Sequence, residues 1–182
     1  MERDELLSLN PAGHPDPKIQ RVGFDLSHPY VEQCWGPVLG PSGTMLLRRL
    51  PTLWKEQAPA AITHEELSRS LGLGAGSGAH SRLRHAMDRT VRFGLAKWDT
   101  DGRDLSVFLQ VPALTERQLE RLPGWTKEAH GRLLDDHLSG LAQGGPGTNV
   151  SDITRRLDRL QEPQQINPAP AHPSPALKAL ER

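Results

Sequence analysis

Residues 63–111 read THEELSRSLGLGAGSGAHSRLRHAMDRTVRFGLAKWDTDGRDLSVFLQV, and the fold turns on how this stretch is punctuated. Thr63-x-x-Glu66 has the form of a capping box. In such a box the threonine hydroxyl accepts an early helical amide and the glutamate reaches back; Ile62 and Leu67 would staple it. The helix it opens runs through Leu67 and Leu71 to a stop at Gly72. A glycine-rich turn from Gly72 to Gly78 leads to a further helix, predicted over about 79–93 and stopped by Gly94. Beyond Gly94 the apolar period changes from helical to two. Leu95–Trp98 and Leu105–Val111 flank Asp101-Gly102, a strong hairpin signal.

Upstream, Gly40-Pro41-Ser42 breaks the chain and caps a helix with Met45, Leu46, Leu47, Leu50 and Trp54 on its core-facing stripe. Pro51 inside that run predicts a kink or an early end. Ser27-His28-Pro29 opens a shorter helix with Tyr30, Val31, Cys34, Trp35 and Val38 on one face. Residues 1–22 carry Pro11, Pro15 and Pro17 with little periodicity, and read as a flexible N-terminal arm. Downstream, Thr115-x-x-Gln118 repeats the box and staple, and Pro123-Gly124 interrupts the helix. Trp125, Ala129, Leu133, Leu134, Leu138 and Leu141 then give a second amphipathic stretch. A linker at Gly144–Gly147, a short amphipathic piece (Ile153, Leu157, Leu160) and a proline-rich tail follow, the tail reading as disordered. The organisation expected is thus an arm (1–22), a domain (23–141, core 41–111) and a linker with tail (142–182).

Composition narrows the function. The chain has 182 residues, of which 36% are hydrophobic and 24% charged, enough for one ordinary domain plus tails. Its 22 basic and 22 acidic side chains cancel, so any nucleic-acid contact must come from a local patch rather than from bulk charge. The single cysteine, Cys34, excludes an internal disulfide and a multi-cysteine zinc site. There is no apolar run of about 18 residues to span a membrane, and the charged Met1–Glu5 start lacks a secretion signal. A cytoplasmic protein is expected. Arginine in place of lysine, with abundant Ala, Gly, Leu and Pro, suggests a GC-rich bacterial or phage genome.

Between Pro41 and Val111, under half the chain, the order helix, capped short helix, turn, helix, hairpin resembles the winged helix-turn-helix superfamily of DNA-binding domains. The fold class expected is mainly α with a small β-hairpin wing, carrying extra N- and C-terminal helices and disordered tails. The resemblance implies that the helix at about 79–93 enters the major groove and that the wing lies beside a phosphate backbone.

The residues can also be read without it. At helical spacing Leu83, Met87, Thr90 and Val91 share one side, with Ala86 at its margin; Ser81, Arg82, His85, Asp88, Arg89 and Arg92 take the other. From His80 to Lys97, five cations (Arg82, Arg84, Arg89, Arg92, Lys97) stand against one carboxylate, Asp88. Guanidinium groups pair bidentately with guanine edges or phosphate oxygens. Ser77, Ser81 and the glycine turn can offer phosphate contacts at the helix start. The candidate DNA-binding set is therefore Ser77, Ser81, Arg82, Arg84, His85, Arg89, Arg92, Lys97 and Arg103. The hairpin tip departs from the pattern, with Asp99, Asp101 and Asp104 against Arg103. Either Arg103 alone reaches the DNA backbone or the wing stays clear of it.

Other chemistry finds little support. The Gly72-x-Gly74-x-Gly76-x-Gly78 spacing follows a capped helix and no parallel-sheet pattern, so it does not read as a nucleotide loop. The eight histidines are scattered, with His130 and His137 seven apart on a surface-biased helix; Cys34, near only His28, reads as a structural thiol. No metal, cofactor or catalytic role is expected. The expectation is a sequence-specific duplex DNA-binding protein, a bacterial or phage transcriptional regulator at the nucleoid. A winged-helix protein-association module and a replication or partition protein of a mobile element remain open. The helices at 115–141 either complete the core or form a homodimer seam, and 151–161 is a candidate docking segment for a protein partner.

Overall fold

Leu6–Ala12, expected within a flexible arm, is instead strand β1 in the middle of a sheet. The computed structural model describes residues 6–75 and 80–143. The linker, the amphipathic piece and the tail at 144–182, and Ser77, lie outside these. Leu7 and Leu9 alternate with Ser8 and Asn10, and both leucines are fully buried. This is the period-two pattern of a half-buried strand. Strand β1 pairs antiparallel with Ala60–Thr63 (to be called β3) from Leu6↔Thr63 to Leu9↔Ala60. On its other edge it pairs parallel with Asp104–Phe108 (β5), from Ser8↔Asp104 to Ala12↔Phe108. Pro11 is tolerated because β3 has already ended: at that point only the β5 edge still requires hydrogen bonds. The sequence shows no parallel-sheet pattern, yet β1 and β5 pair in parallel.

Asp16 caps the next helix, α1 (Pro17–Val22), by accepting the Lys18 amide at 2.8 Å, with Pro17 pre-set for the first turn. Phe24–Asp25 (β2) follows. A wide helical turn at Val31–Trp35 then leads into α2, Gly36–Glu56. Gly40 breaks α2 as expected, adopting φ 76° and ψ 169°, outside helical space. Pro51 does not end the helix, which continues to Glu56. Leu46, Leu47, Leu50 and Trp54 are fully buried, but Met45 is 46% exposed and does not belong to the core stripe. Met45 lies one residue, about 100°, before Leu46, which carries it round to the solvent side.

Thr63 caps α3 (His64–Ser70), its hydroxyl accepting the Glu66 amide at 3.2 Å. Ser81 caps α4 (Arg82–Arg92) by accepting the Arg84 amide at 3.1 Å, so this helix starts three residues later than the predicted Ala79. Gly94 ends it at φ 71°, with its own amide donating to Val91 and that of Leu95 donating to Thr90, a left-handed glycine terminus. The hairpin is Ala96–Trp98 (β4) against β5, in register Ala96↔Val107 and Trp98↔Leu105. The sheet order is β3-β1-β5-β4. The strand expected to run to Val111 divides at Leu109, and Gln110–Val111 (β6) crosses to pair with β2.

Thr115 and Gln118 form the full reciprocal box at the start of α5 (Glu116–Leu119). Helix α6, Gly124–Ala142, buries Thr126, Ala129, Leu133 and His137. One face of α6 thus completes the core, the first of the two alternatives, while Trp125 and Leu138 of the same helix are exposed. His130 and His137 are not surface groups: His137 is buried and His130 bonds the Tyr30 hydroxyl. Trp35 and Trp54 anchor the core, their indole N–H groups donating to Pro112 O and Leu9 O at 2.9 Å each. The described chain is predominantly helical with a small four-stranded sheet and the two-stranded β2–β6 pair. Among the described residues no helix is long and apolar enough to cross a membrane.

Candidate nucleic-acid interface

Helix α4 divides cleanly by face. Leu83, Ala86, Met87 and Thr90 are buried, and the Thr90 hydroxyl is satisfied by Met87 O at 2.7 Å. Four buried side chains over about two turns fix the rotation of the helix about its axis. The outward face then presents Arg82, His85, Arg89 and Arg92, all exposed. Arg89 lies beside the break in α2, its guanidinium 3.9 Å from where a Cβ on Gly40 would stand. Ser81 sits at the start of this face. Its oxygen is committed to the Arg84 amide, but its hydroxyl proton is still able to donate.

Arg84 departs from the expected set. Its guanidinium carbon lies 4.1 Å from the centre of the Trp98 ring, its Nε is 3.2 Å from Asp88 Oδ1, and Nη1 reaches Gly102 O at 3.5 Å. Asp88 Oδ1 in turn accepts the Trp98 indole N–H at 2.9 Å. Helix and hairpin are therefore joined by a clasp of Arg84, Asp88 and Trp98, and Arg84 faces the hairpin rather than solvent. The i,i+4 spacing of Arg84 and Asp88 was readable in the sequence as a helical ion pair. Trp98 as its third member was not, because its side of the strand depends on register.

The acidic hairpin tip also resolves into parts. Asp99 Oδ1 accepts the amides of Arg103 (2.9 Å) and Asp104 (3.1 Å), while the Asp99 amide donates to Asp104 O. This carboxylate folds its own turn, as aspartates do when they accept downstream amides. Gly102 supplies the positive φ, 66°, that the turn requires. Asp101 is exposed at the tip, and Arg103 is exposed beside it. Lys97, also exposed, lies on β4 between buried Ala96 and the clasped Trp98.

The expected positions thus fall into groups. Arg82, His85, Arg89 and Arg92 share the open face of α4; Ser81 begins it; Lys97 and Arg103 belong to the hairpin; Arg84 is in the clasp; and Ser77 lies outside the described residues. The glycine turn after α3 follows a helix, and Gly72 and Gly74 take positive φ with nothing near a would-be Cβ, as in a permissive connection. Among the described residues no group of three or more His, Cys, Asp or Glu side chains could hold a metal ion. Cys34 is fully buried, and burial pushes its thiol up to about 11. The chain matches no protein-family model, no curated protein and no solved structure.

Proposed function

We propose that this protein is a winged helix-turn-helix DNA-binding protein that reads the major groove with α4. The element order α2–β3–α3–α4–β4–β5 supports it, being that of the superfamily, with the N-terminal β1 added between β3 and β5. The observation that carries the reading is the open face of α4. In a chain of zero net charge, Arg82, Arg89 and Arg92 with His85 stand exposed on one rigidly seated helix, and the one carboxylate there, Asp88, is taken by Arg84 and Trp98. Arginines so placed suit guanine edges and phosphates, and Ser81 suits a phosphate at the helix start. Lys97 and Arg103 on the hairpin would grip the flanking backbone. The role is that of a sequence-specific regulator acting at the nucleoid.

Selection from a random duplex pool at two salt concentrations tests this. An enriched motif is expected, with affinity falling steeply with salt. Absence of retention even at low salt would overturn the reading. It would favour the rival, a protein-association module, for which exposed Asp101 at the hairpin tip and the withdrawal of Arg84 both argue.

A further inference from the structure

Three histidines, His28 and two from α6, lie around the stacked rings of Phe24 and Tyr30, and each has a ring nitrogen placed for a neutral imidazole. The Phe24 ring stacks on Tyr30 at 3.8 Å between ring centres and lies 4.4 Å from His137 and 5.0 Å from His28. His28 and His137 are themselves 5.5 Å apart, edge to face. His28 Nδ1 accepts the Tyr30 amide at 3.1 Å, so that nitrogen cannot carry a proton. His137 Nε2 lies 3.2 Å from Val22 O, which can only accept; Nε2 therefore holds the proton and Nδ1 is bare. That Nδ1 is buried and has no partner. Tyr30 Oη accepts the Leu114 amide at 2.9 Å and donates to His130 Nδ1 at 2.6 Å, so this nitrogen too is an acceptor. Each of the three rings has one nitrogen whose lone pair is either in use or sealed from water.

Two of these rings, His130 and His137, are polar links between α6 and the segment from Val22 to Tyr30. A proton arriving at His28 or His130 has a structural cost. On His28 it ejects the Tyr30 amide. On His130 it turns the Tyr30 hydroxyl proton toward a site with no acceptor in a fully buried residue. His137 ties these rings to α6 through Val22 O and its edge-to-face contact with His28. We propose that this cluster is an acid-sensitive latch: protonation releases α6 from the Phe24–Tyr30 surface, uncovering Ala129 and Leu133. The inference stands on the cluster's geometry and is independent of the DNA-binding reading.

Burial pulls His28 below its ordinary value, His137 and Arg48 of α2 adding to that against Asp25 beside it. Burial likewise lowers His130, with Asp135 of α6 opposing. Arg132, the other α6 cation here, bonds Gln33 Oε1 at 3.2 Å and lies against Cys34. Burial keeps both Cys34 and Tyr30 neutral by raising them. Since the docked values of His28 and His130 lie below the free value of about 6.5, docking is at full strength above that pH and weakens as the pH falls through and below it. Each unit of depression multiplies the undocked fraction by up to about ten.

The test is amide hydrogen exchange of the full chain at about pH 7.5 and about pH 5, corrected for intrinsic rates, with α4 amides as the internal reference. Protection of α6 should fall relative to α4 in the wild type. It should hold at both pH values in the triple variant His28→Asn, His130→Gln, His137→Gln, whose amides replace each hydrogen bond without titrating. An unchanged α6-to-α4 ratio in the wild type, or an equal loss in the variant, would overturn the latch. Should the variant lose α6 at both pH values, histidine proton shifts of the wild type decide. Midpoints of His28 and His130 below about 6.5, coincident with α6 shifts, support the latch, and ordinary midpoints with α6 unmoved refute it.

Discussion

Replacing Arg84 and Trp98 singly and together by alanine separates a clasp from a contact. The cation over the indole contributes about 0.5–1 kcal/mol where the pair is partly solvated. The Arg84–Asp88 pair has side chains 31% and 48% exposed, so solvent screening limits it to about 0.3–0.5 kcal/mol. The indole bond to Asp88 adds about 1 kcal/mol, less whatever water restores at that half-exposed carboxylate. Urea unfolding should then give a coupling energy between Arg84→Ala and Trp98→Ala of about 0.5–1.5 kcal/mol, measured by a double-mutant cycle. The cycle isolates the pair from the ring burial that Trp98→Ala also removes. In DNA titrations Arg84→Ala should leave the salt slope near that of the wild type, since its guanidinium is held against Trp98, Asp88 and Gly102 O, whereas Arg92→Ala should reduce it by about one. Additive stabilities, within about 0.3 kcal/mol, would refute the clasp. A slope change for Arg84→Ala matching that of Arg92→Ala would show that Arg84 faces DNA after all.

Three further outcomes follow from the fold. Leu9→Ala in β1 should cost about 2–5 kcal/mol by urea unfolding, because the side chain is fully buried; a change under about 0.5 kcal/mol would return this segment to the status of an arm. Gly94→Ala should destabilise by about 1–2 kcal/mol, since φ is 71° there, while Gly131→Ala, inside α6 with open space at its Cβ, should stabilise by up to about 1 kcal/mol; thermal melts showing the same sign for both would contradict the two backbone assignments. Cys34, held near 11, exposes roughly one thiolate in a thousand at pH 8, so thiol reagents should label it only on unfolding, and rapid labelling of the native protein would contradict its burial.

What was legible in the sequence was what is local. Thr63, Thr115 and Gly94 end helices through groups only a few residues away, and the spacing alone was sufficient to find them. The same holds for the two faces of α4, which follow from 3.6-residue periodicity. What was not legible depends on partners far along the chain. β1 is short and carries Pro11, and its reason to be a strand lies in β5, some 96 residues on at Ser8↔Asp104. Its three leucines among polar neighbours were therefore outweighed by Pro11 and by Pro15 and Pro17 just beyond it. His137 read as a surface group because imidazole is polar, yet Val22 O and Phe24 give it a place inside. The candidate site divided in the same way: the exposed arginines were readable, and the withdrawal of Arg84 into the hairpin was not.

The neutral balance of the chain turns that face into a quantitative claim. A protein with a large positive charge binds DNA diffusely, and its salt dependence says little about which residues make contact. Here every cation beyond the local group is matched by an acid elsewhere, so counterion release should report the interface itself. Arg82, Arg89, Arg92, Lys97 and Arg103 are exposed along α4 and the hairpin, and five neutralised phosphates give a slope of log affinity against log salt of about −4.5. Between about 50 and 200 mM salt this amounts to a loss of affinity of roughly five-hundredfold. A slope near about −9 would mean that two copies of the face act at one site, and equilibrium sedimentation of the complex would have to show two chains on the duplex. A slope near zero on a bound, selected sequence would leave the exposed arginines without phosphates to neutralise, and the reading of α4 as the DNA-facing helix would fall with it.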